Sequence, residues 1–190
     1  MKLPEKFIDW LIRYAKKTPY FDLPGYMERW WLFKPRSWLP FRTRIHHILR
    51  SDNDRHLHDH PSDFWTLILR GGYWEHVPAP IYDSEEFIRL VVKGYQMTID
   101  KNLEGKPFVS MRKWFGPGMW NVHKAQDFHR LEVPEGMTTW TLFTFGRYKQ
   151  HWGFQVDDKK IYWREYLNEW EPVDGEENMN PFKPKYVVRN

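Results

Sequence analysis

The sequence predicts an all-β domain, a sandwich or jelly roll, and three observations carry that expectation. From Phe41 onward the chain breaks into about eight or nine short segments rich in β-branched and aromatic residues, separated by turn signals such as Ser51-Asp52-Asn53-Asp54, Gly71-Gly72 and Pro134-Glu135-Gly136. Aromatic residues make up 18% of the chain, with 12 Trp and 13 Phe, and rings of that bulk suit strands better than helices. A length of 190 residues fits one core of ordinary size with short appendages, and a second core would be cramped.

Taken in chain order, residues 4–17 read as an amphipathic helix. Pro4 suits a first-turn position, Phe7, Leu11 and Ala15 recur at helical spacing with Ile8 and Ile12 beside them, and lysines close the segment. Residues 18–40 carry Tyr20, Phe21, Tyr26, Trp30, Trp31, Phe33 and Trp38 among prolines, and are expected as an irregular lead-in held against the domain, because a free linker would not carry so many large rings. Strands are expected over residues 42–49, 64–69, 73–77, 87–92, 95–99, 109–114, 128–133 and 139–145. Residues 161–170 suggest a short helix, and residues 171–190, with Pro172, Pro181 and Pro184, an extended tail. The expected division is residues 1–40 as helix and aromatic lead-in, 41–157 as the β domain, and 158–190 as C-terminal helix and tail.

Composition removes several kinds of chemistry. With no cysteine, disulfides, thiolate metal sites, Fe–S clusters and cysteine nucleophiles are excluded, so any metal site must be built from nitrogen and oxygen. No apolar run approaches the roughly 18 residues of a membrane span, which leads us to expect a cytoplasmic protein with no membrane association. The net charge of +4 conceals an asymmetry: residues 1–50 hold eleven Lys/Arg against four Asp/Glu. Such a basic end, with Trp30, Trp31 and Trp38 among its arginines, could meet nucleic acid, although a solvated basic face and ordinary core packing explain it more simply. Hydrolase elbows, phosphate-binding glycine loops, dinucleotide fingerprints and His-Glu-x-x-His helices are absent from the sequence.

The most informative stretch is Arg55-His56-Leu57-His58-Asp59-His60-Pro61. In a strand, residues two apart share a face, so His56, His58 and His60 point one way. Neighbours in that series lie about 6.6 Å apart and can converge on one ion, whereas the outer pair, about 13 Å apart, cannot. A third ligand must come from elsewhere. His129, in the alternating segment Asp127-Phe128-His129-Arg130-Leu131-Glu132-Val133, is the best candidate, with His123 in reserve.

His58-x-His60, the apolar segment 64–69, Gly71-Gly72, Pro117-Gly118 and the distant His129 resemble the two motifs of the cupin superfamily. More closely, Leu49-Arg50-Ser51-Asp52, Leu57-His58-Asp59-His60-Pro61, Ile68-Leu69-Arg70-Gly71-Gly72-Tyr73, His129-Arg130-Leu131 and Trp152-Gly153-Phe154 resemble a group of uncharacterised cupins of bacteriophages and bacteria. The resemblance covers roughly residues 26–166. It implies a double-stranded β-helix, or jelly roll, around a metal ion. Two departures stand out. Where many cupins place a glutamate ligand soon after the second histidine, this chain has Phe64 or Trp65, unless Asp63 swings in, so the implied site is a three-histidine one like that of the thiol dioxygenases. The 69 positions from His60 to His129 imply that residues 78–107 form an extra hairpin or lid.

Two functional expectations follow. The first is an enzyme holding Fe(II) by preference, or Zn, Mn or Ni, between His58, His60 and His129, and acting as a dioxygenase-like oxidoreductase on a small molecule; an isomerase or lyase would instead need a base such as Glu75 or Tyr73 near the ion. Asp127 is expected to orient His129 or else to start its strand. Arg44 and Arg147 are candidates for holding an anionic substrate, and Trp65, Tyr73 and Glu75 for lining the pocket. The second expectation is a non-catalytic binding or assembly module whose metal is structural or vestigial. Pairing of edge strands into a homodimer is expected under either. His46 and His47 are expected as one buried and one exposed strand residue, and His76 and His151 as surface or loop-end residues.

Overall fold

The structure is a computed structural model that describes residues 3–36, 38–52, 56–101, 107–156 and 159–169. Asn53, Asp54 and the proline-containing tail of residues 171–190 lie outside the described residues. The elements in chain order are α1 (Glu5–Ala15), β1 (Met27–Trp31), β2 (Arg42–Ile48), β3 (Phe64–Arg70), β4 (Tyr73–Pro78), α2 (Ser84–Val92), β5 (Gln96–Lys101), β6 (Pro107–Phe115), β7 (Trp120–His123), β8 (Arg130–Glu132), β9 (Thr139–Phe145), β10 (Gly153–Val156), β11 (Lys159–Tyr162) and α3 (Trp163–Glu169).

Alternation along the strands builds two layers. One sheet has the order β1-β2-β9-β3-β7 and a second the order β5-β6-β4-β8, with every described pairing antiparallel. Met27, Ile48 and Ile68 of the first sheet pack with Tyr73, Val77, Met111 and Phe115 of the second in one buried cluster, so the domain is a β-sandwich. Residues one position out of phase, Trp30, Ile45, Leu67 and Leu69, face the other way and are covered by Ile8, Leu11, Ile12 and Ala15 of α1. The helix thus caps the outer face of the first sheet. Phe7, expected in the buried stripe, is instead exposed and stacks on Trp10, because the face that meets the sheet is centred on Ile8, Leu11, Ile12 and Ala15.

The chain crosses between sheets from β3 to β4 at Gly71-Gly72. Gly71 has φ of 73°, and a Cβ there would meet the Thr138 carbonyl oxygen at 2.1 Å, so both the conformation and the close approach require glycine. After β9, Trp152-Gly153-Phe154 leads into β10, which pairs with β11 as a separate two-stranded sheet, and Phe154 stacks on Tyr166 of α3 at 3.8 Å.

Four expectations about elements need correction. Residues 87–92, read as a strand, belong to α2: Asp83 caps the helix by accepting from the Glu86 N–H at 3.0 Å, Glu85 and Glu86 occupy the first turn, and these signals outweigh the β-branched Val91 and Val92. The 78–107 excursion is therefore a helix followed by edge strand β5, which extends the second sheet, rather than a simple hairpin. The lead-in of residues 18–40 is not wholly irregular, since β1 pairs along β2 from Met27 opposite Ile48 to Trp31 opposite Arg44. At the C-terminal side, Ile161 and Tyr162 close β11 before α3 begins.

Candidate metal centre

Segment 57–60 is extended but forms no named strand; it is threaded between two neighbours. His58 and His129 exchange both backbone hydrogen bonds at 2.9 Å, which places the residues directly opposite one another. On the other side His58 bridges Phe154, and Gln155 N–H donates to the Leu57 carbonyl at 2.8 Å. The pleat then sorts the side chains. Asp59 turns away from the histidines and is buried, accepting from Gly153 N–H at 2.7 Å and the Gln150 amide at 2.8 Å and pairing with Lys160. Its carboxylate ties the histidine segment to β10 and β11.

His58 and His60 point to the opposite side, into the sandwich, where their ring centroids lie 5.2 Å apart and 5.0 and 4.9 Å from that of His129. Each of the three offers a ring nitrogen within 4.8 Å of the others. Nε2 of His60 and Nε2 of His129 are 2.8 Å apart. Burial, followed by the neighbouring histidines, holds His60 well below the usual imidazole range. Burial likewise lowers His129 to about 4, against the opposing pull of its hydrogen bond to Glu75. Both rings are neutral at physiological pH, the form in which imidazole binds a metal.

Glu75 organises the layer beneath. Its Oε1 accepts from Asn121 Nδ2, His123 Nε2 and His129 Nδ1, each at 2.7 Å, and its Oε2 from the Tyr95 hydroxyl at 2.6 Å, with the carboxylate fully buried. Burial alone would raise this carboxyl group; His123 and His129 outweigh it and hold it well below the ordinary range. An ionised carboxylate only accepts, so His129 carries its proton on Nδ1 and turns a bare Nε2 toward His60. His123 behaves in the opposite sense to His129: burial opposes its protonation, but the Glu75 charge and hydrogen bond raise it above the ordinary value.

The other candidate residues fall into place around these two layers. His56 turns outward, with Nδ1 3.1 Å from the Tyr166 hydroxyl. Asp63 does not swing in: it accepts from Ala125 N–H at 2.9 Å and pairs with Lys149. Asp127 does not reach His129; it accepts from Lys124 N–H at 2.8 Å as a turn residue and approaches only His123, at 3.8 Å. Tyr73 is buried in the core against Phe115, not in a pocket. Trp65 faces out of the first sheet and packs on Trp120 at 5.0 Å, which removes it from the pocket. Arg147 is exposed in the turn after β9. Arg44 points into the sandwich among Tyr20, Trp31 and Phe145. His46 is buried and His47 half-buried, while His151 is exposed. His76, expected at the surface, is fully buried between Ser110 and Glu132, because its strand face is covered.

Glu75, His123 and His129 form a second group with metal-ligand character, sharing His129. Its contacts are already matched donor to acceptor, so it stands complete as a hydrogen-bonded support. The three-histidine group is different. A separation of about 3.0 Å is what two nitrogens at right angles on one ion with bonds of about 2.1 Å would show, close to the His60–His129 spacing. His58 Nδ1 is buried without a hydrogen-bond partner, 3.9 Å from Asp52. The neutral rings of His60 and His129, beside a His58 with an orphaned ring nitrogen, fit a divalent metal of the borderline class.

No protein-family model matches the chain, and no curated protein matches it. Among solved structures, the chain is similar to the polyketide cyclase RemF from Streptomyces resistomycificus, at 13% identity over 80% of this chain and 91% of that one, with a TM-score of 0.48. It is also similar to a cupin 2 conserved barrel domain protein from Rhodopseudomonas palustris, at 13% identity, 80% and 83% coverage and a TM-score of 0.44. A cupin-2 domain protein from Rhodospirillum rubrum stands at 11%, 82% and 77%, with a TM-score of 0.44. At these identities and scores the likenesses assign neither a family nor an activity.

Proposed function

We propose that the chain is a cupin-type jelly roll that holds one divalent metal ion through His58, His60 and His129 and acts as a dioxygenase-like oxidoreductase on a small molecule. The observation that carries this reading is the convergence of three interior ring nitrogens within 4.8 Å, one of them aimed by a buried carboxylate. A carboxylate that holds the far side of a ligating imidazole fixes its tautomer and strengthens it as a base. Bound there, Fe(II), the favoured ion, would supply a redox-active Lewis-acidic centre with coordination positions beyond three protein ligands. The protein's own part is to keep His60 and His129 neutral, to fix the direction of the imidazoles through Glu75 and Asp59, and to exclude water with Phe64 and Phe143, which pack 4.4 and 6.5 Å from the His60 ring. We place the protein in the cytoplasm, with edge strand β5 available for pairing in a homodimer.

One observation favours a second reading. Nε2 of His60 and Nε2 of His129 also lie at hydrogen-bond distance, so these two rings can hold one another without an ion, as a binding or assembly module would require. Metal analysis of protein purified without chelator separates the two. Close to one equivalent of metal, lost in His58→Ala/His60→Ala, together with oxygen consumption in the presence of iron and small thiols or acids, supports the enzyme. Metal-free protein of unchanged stability supports the module.

A further inference from the structure

Strand β2 presents Arg44, His46 and Ile48 to the inside of the sandwich, the face opposite Ile45 and α1. Ile48 is ordinary core, whereas Arg44 and His46 are not. Nε of Arg44 and Nε2 of His46 are both buried, and neither has a hydrogen-bond partner. The guanidinium carbon lies 4.0 Å from the Tyr20 ring centroid, 4.4 Å from that of Trp31 and 4.5 Å from that of Phe145. Those rings surround the planar group, and although the Tyr20 side chain meets it with a hydrogen bond, its Nε is left unsatisfied. Arg29 stands opposite His46 in the β1–β2 register. Burial, with Arg29 and Arg42 nearby, pulls Arg44 down to about 10, and burial together with Arg44 and Arg29 holds His46 well below its usual range. No carboxylate is among the groups that act on Arg44 and His46, and an anion would satisfy the orphaned nitrogen of each.

We infer that Arg44 and His46 form an anion-recognition subsite, and that the substrate is a small organic acid whose carboxylate or similar oxyanion sits there while its apolar body lies along Phe143, Phe145 and Phe64. The rings connect the two ends of the site. His46 stacks on Phe143 at 4.7 Å, Phe143 lies 5.0 Å from Phe64 and 5.7 Å from Phe145, and Phe64 lies 4.4 Å from His60. An apolar body filling that run would exclude water and bring its far end toward the histidine triad. The identity of that reacting end rests on the metal-enzyme reading; the subsite itself does not.

The test is calorimetric titration of metal-free protein with benzoate, and with benzamide as the neutral counterpart of the same shape. Benzoate is expected to bind saturably and benzamide at least about tenfold more weakly. Arg44→Met is expected to weaken benzoate by at least about tenfold, and Arg44→Lys, which keeps the charge and loses the fork, by a smaller factor. Should Arg44→Met fail to fold by circular dichroism, Arg44→Lys and His46→Phe carry the comparison. Benzoate binding retained in His58→Ala/His60→Ala supports the subsite even where the metal reading fails. Absence of saturable benzoate binding at millimolar concentration, equal binding of benzamide, or unaltered affinity in the folded Arg44 variants overturns the inference, even in a protein that binds metal.

Discussion

Nδ1 of His129 donates to Oε1 of Glu75 across 2.7 Å, with both groups closed to solvent. That contact decides which nitrogen of the ring is left as a base, and it couples the three histidines above to Asn121, His123 and Tyr95 below.

Replacing the carboxylate with its neutral isostere isolates this coupling. Glu75→Gln is expected to weaken metal binding by about 10–100-fold, the usual effect of losing a carboxylate behind a ligating histidine. Competition with a chelator reads the affinity. An unchanged affinity in a folded variant would show that the ring is oriented by other means.

The two faces of segment 56–60 give a paired expectation. His58→Ala and His60→Ala each remove a ring from the triad and should reduce bound metal from about one equivalent to a small fraction of that. His56→Ala, whose ring turns toward Tyr166, should retain full metal content. Elemental analysis of the three variants distinguishes them, and equal loss in all three would contradict the geometry.

Acid should weaken the metal-free fold in a defined window. His129 has a folded pKa of about 4, and His46 and His60 are also lowered, so between about pH 6.5 and pH 4 the unfolded chain binds protons that the folded chain refuses. Stability therefore falls as pH drops through that range, by up to about 1.4 kcal/mol per pH unit for each fully contributing group. His123, raised in the fold, contributes stability that is fully present below about pH 6.5 and is lost only as pH rises above it, so it does not offset the slope in this window. Denaturant midpoints measured at several pH values check the slope. A midpoint that rises on acidification would reverse the assignment of neutral, buried imidazoles.

Asp59 supports the site from behind. Removing its carboxylate strips Gly153 N–H and Lys160 of their partner and takes one of three acceptors from the Gln150 amide, and Asp59→Ala is expected to cost about 2–3 kcal/mol of stability. Chemical denaturation reads the loss. A cost near zero would mean that β10 and β11 do not anchor the histidine segment.

Much of the strand layout is legible along the chain, because period-two patterning and glycine turns are local: residues 139–145 and the neighbourhood of β2, β3, β4 and β6 can be read directly. Two short strands, β1 and β7, carry weak local signals and exist because β2 and β3 offer edges to pair with. Helix α2 defeats a reading by residue type, since Phe87, Ile88, Val91 and Val92 favour strands in isolation while the Asp83 cap and acidic first turn favour helix. At the site, the shared face of His58 and His60 follows from spacing. The partner of His129 does not: Asp127, two residues away, is the local choice, whereas Glu75 lies 54 positions distant on another strand.

Spacing and residue type alone therefore determined that nitrogen and oxygen, not sulfur, would make any metal site, that the chain from Phe41 onward would break into short strands, and that adjacent alternating histidines could converge. Only the tertiary structure decided that Glu75 and not Asp127 aims His129, that Trp65 faces outward, and that Nε of Arg44 and Nε2 of His46 are buried without a hydrogen-bond partner. The reason is physical. Side-chain direction within an element follows from local backbone geometry, but burial and the choice of partner depend on which strands the sheet register brings together from distant parts of the chain.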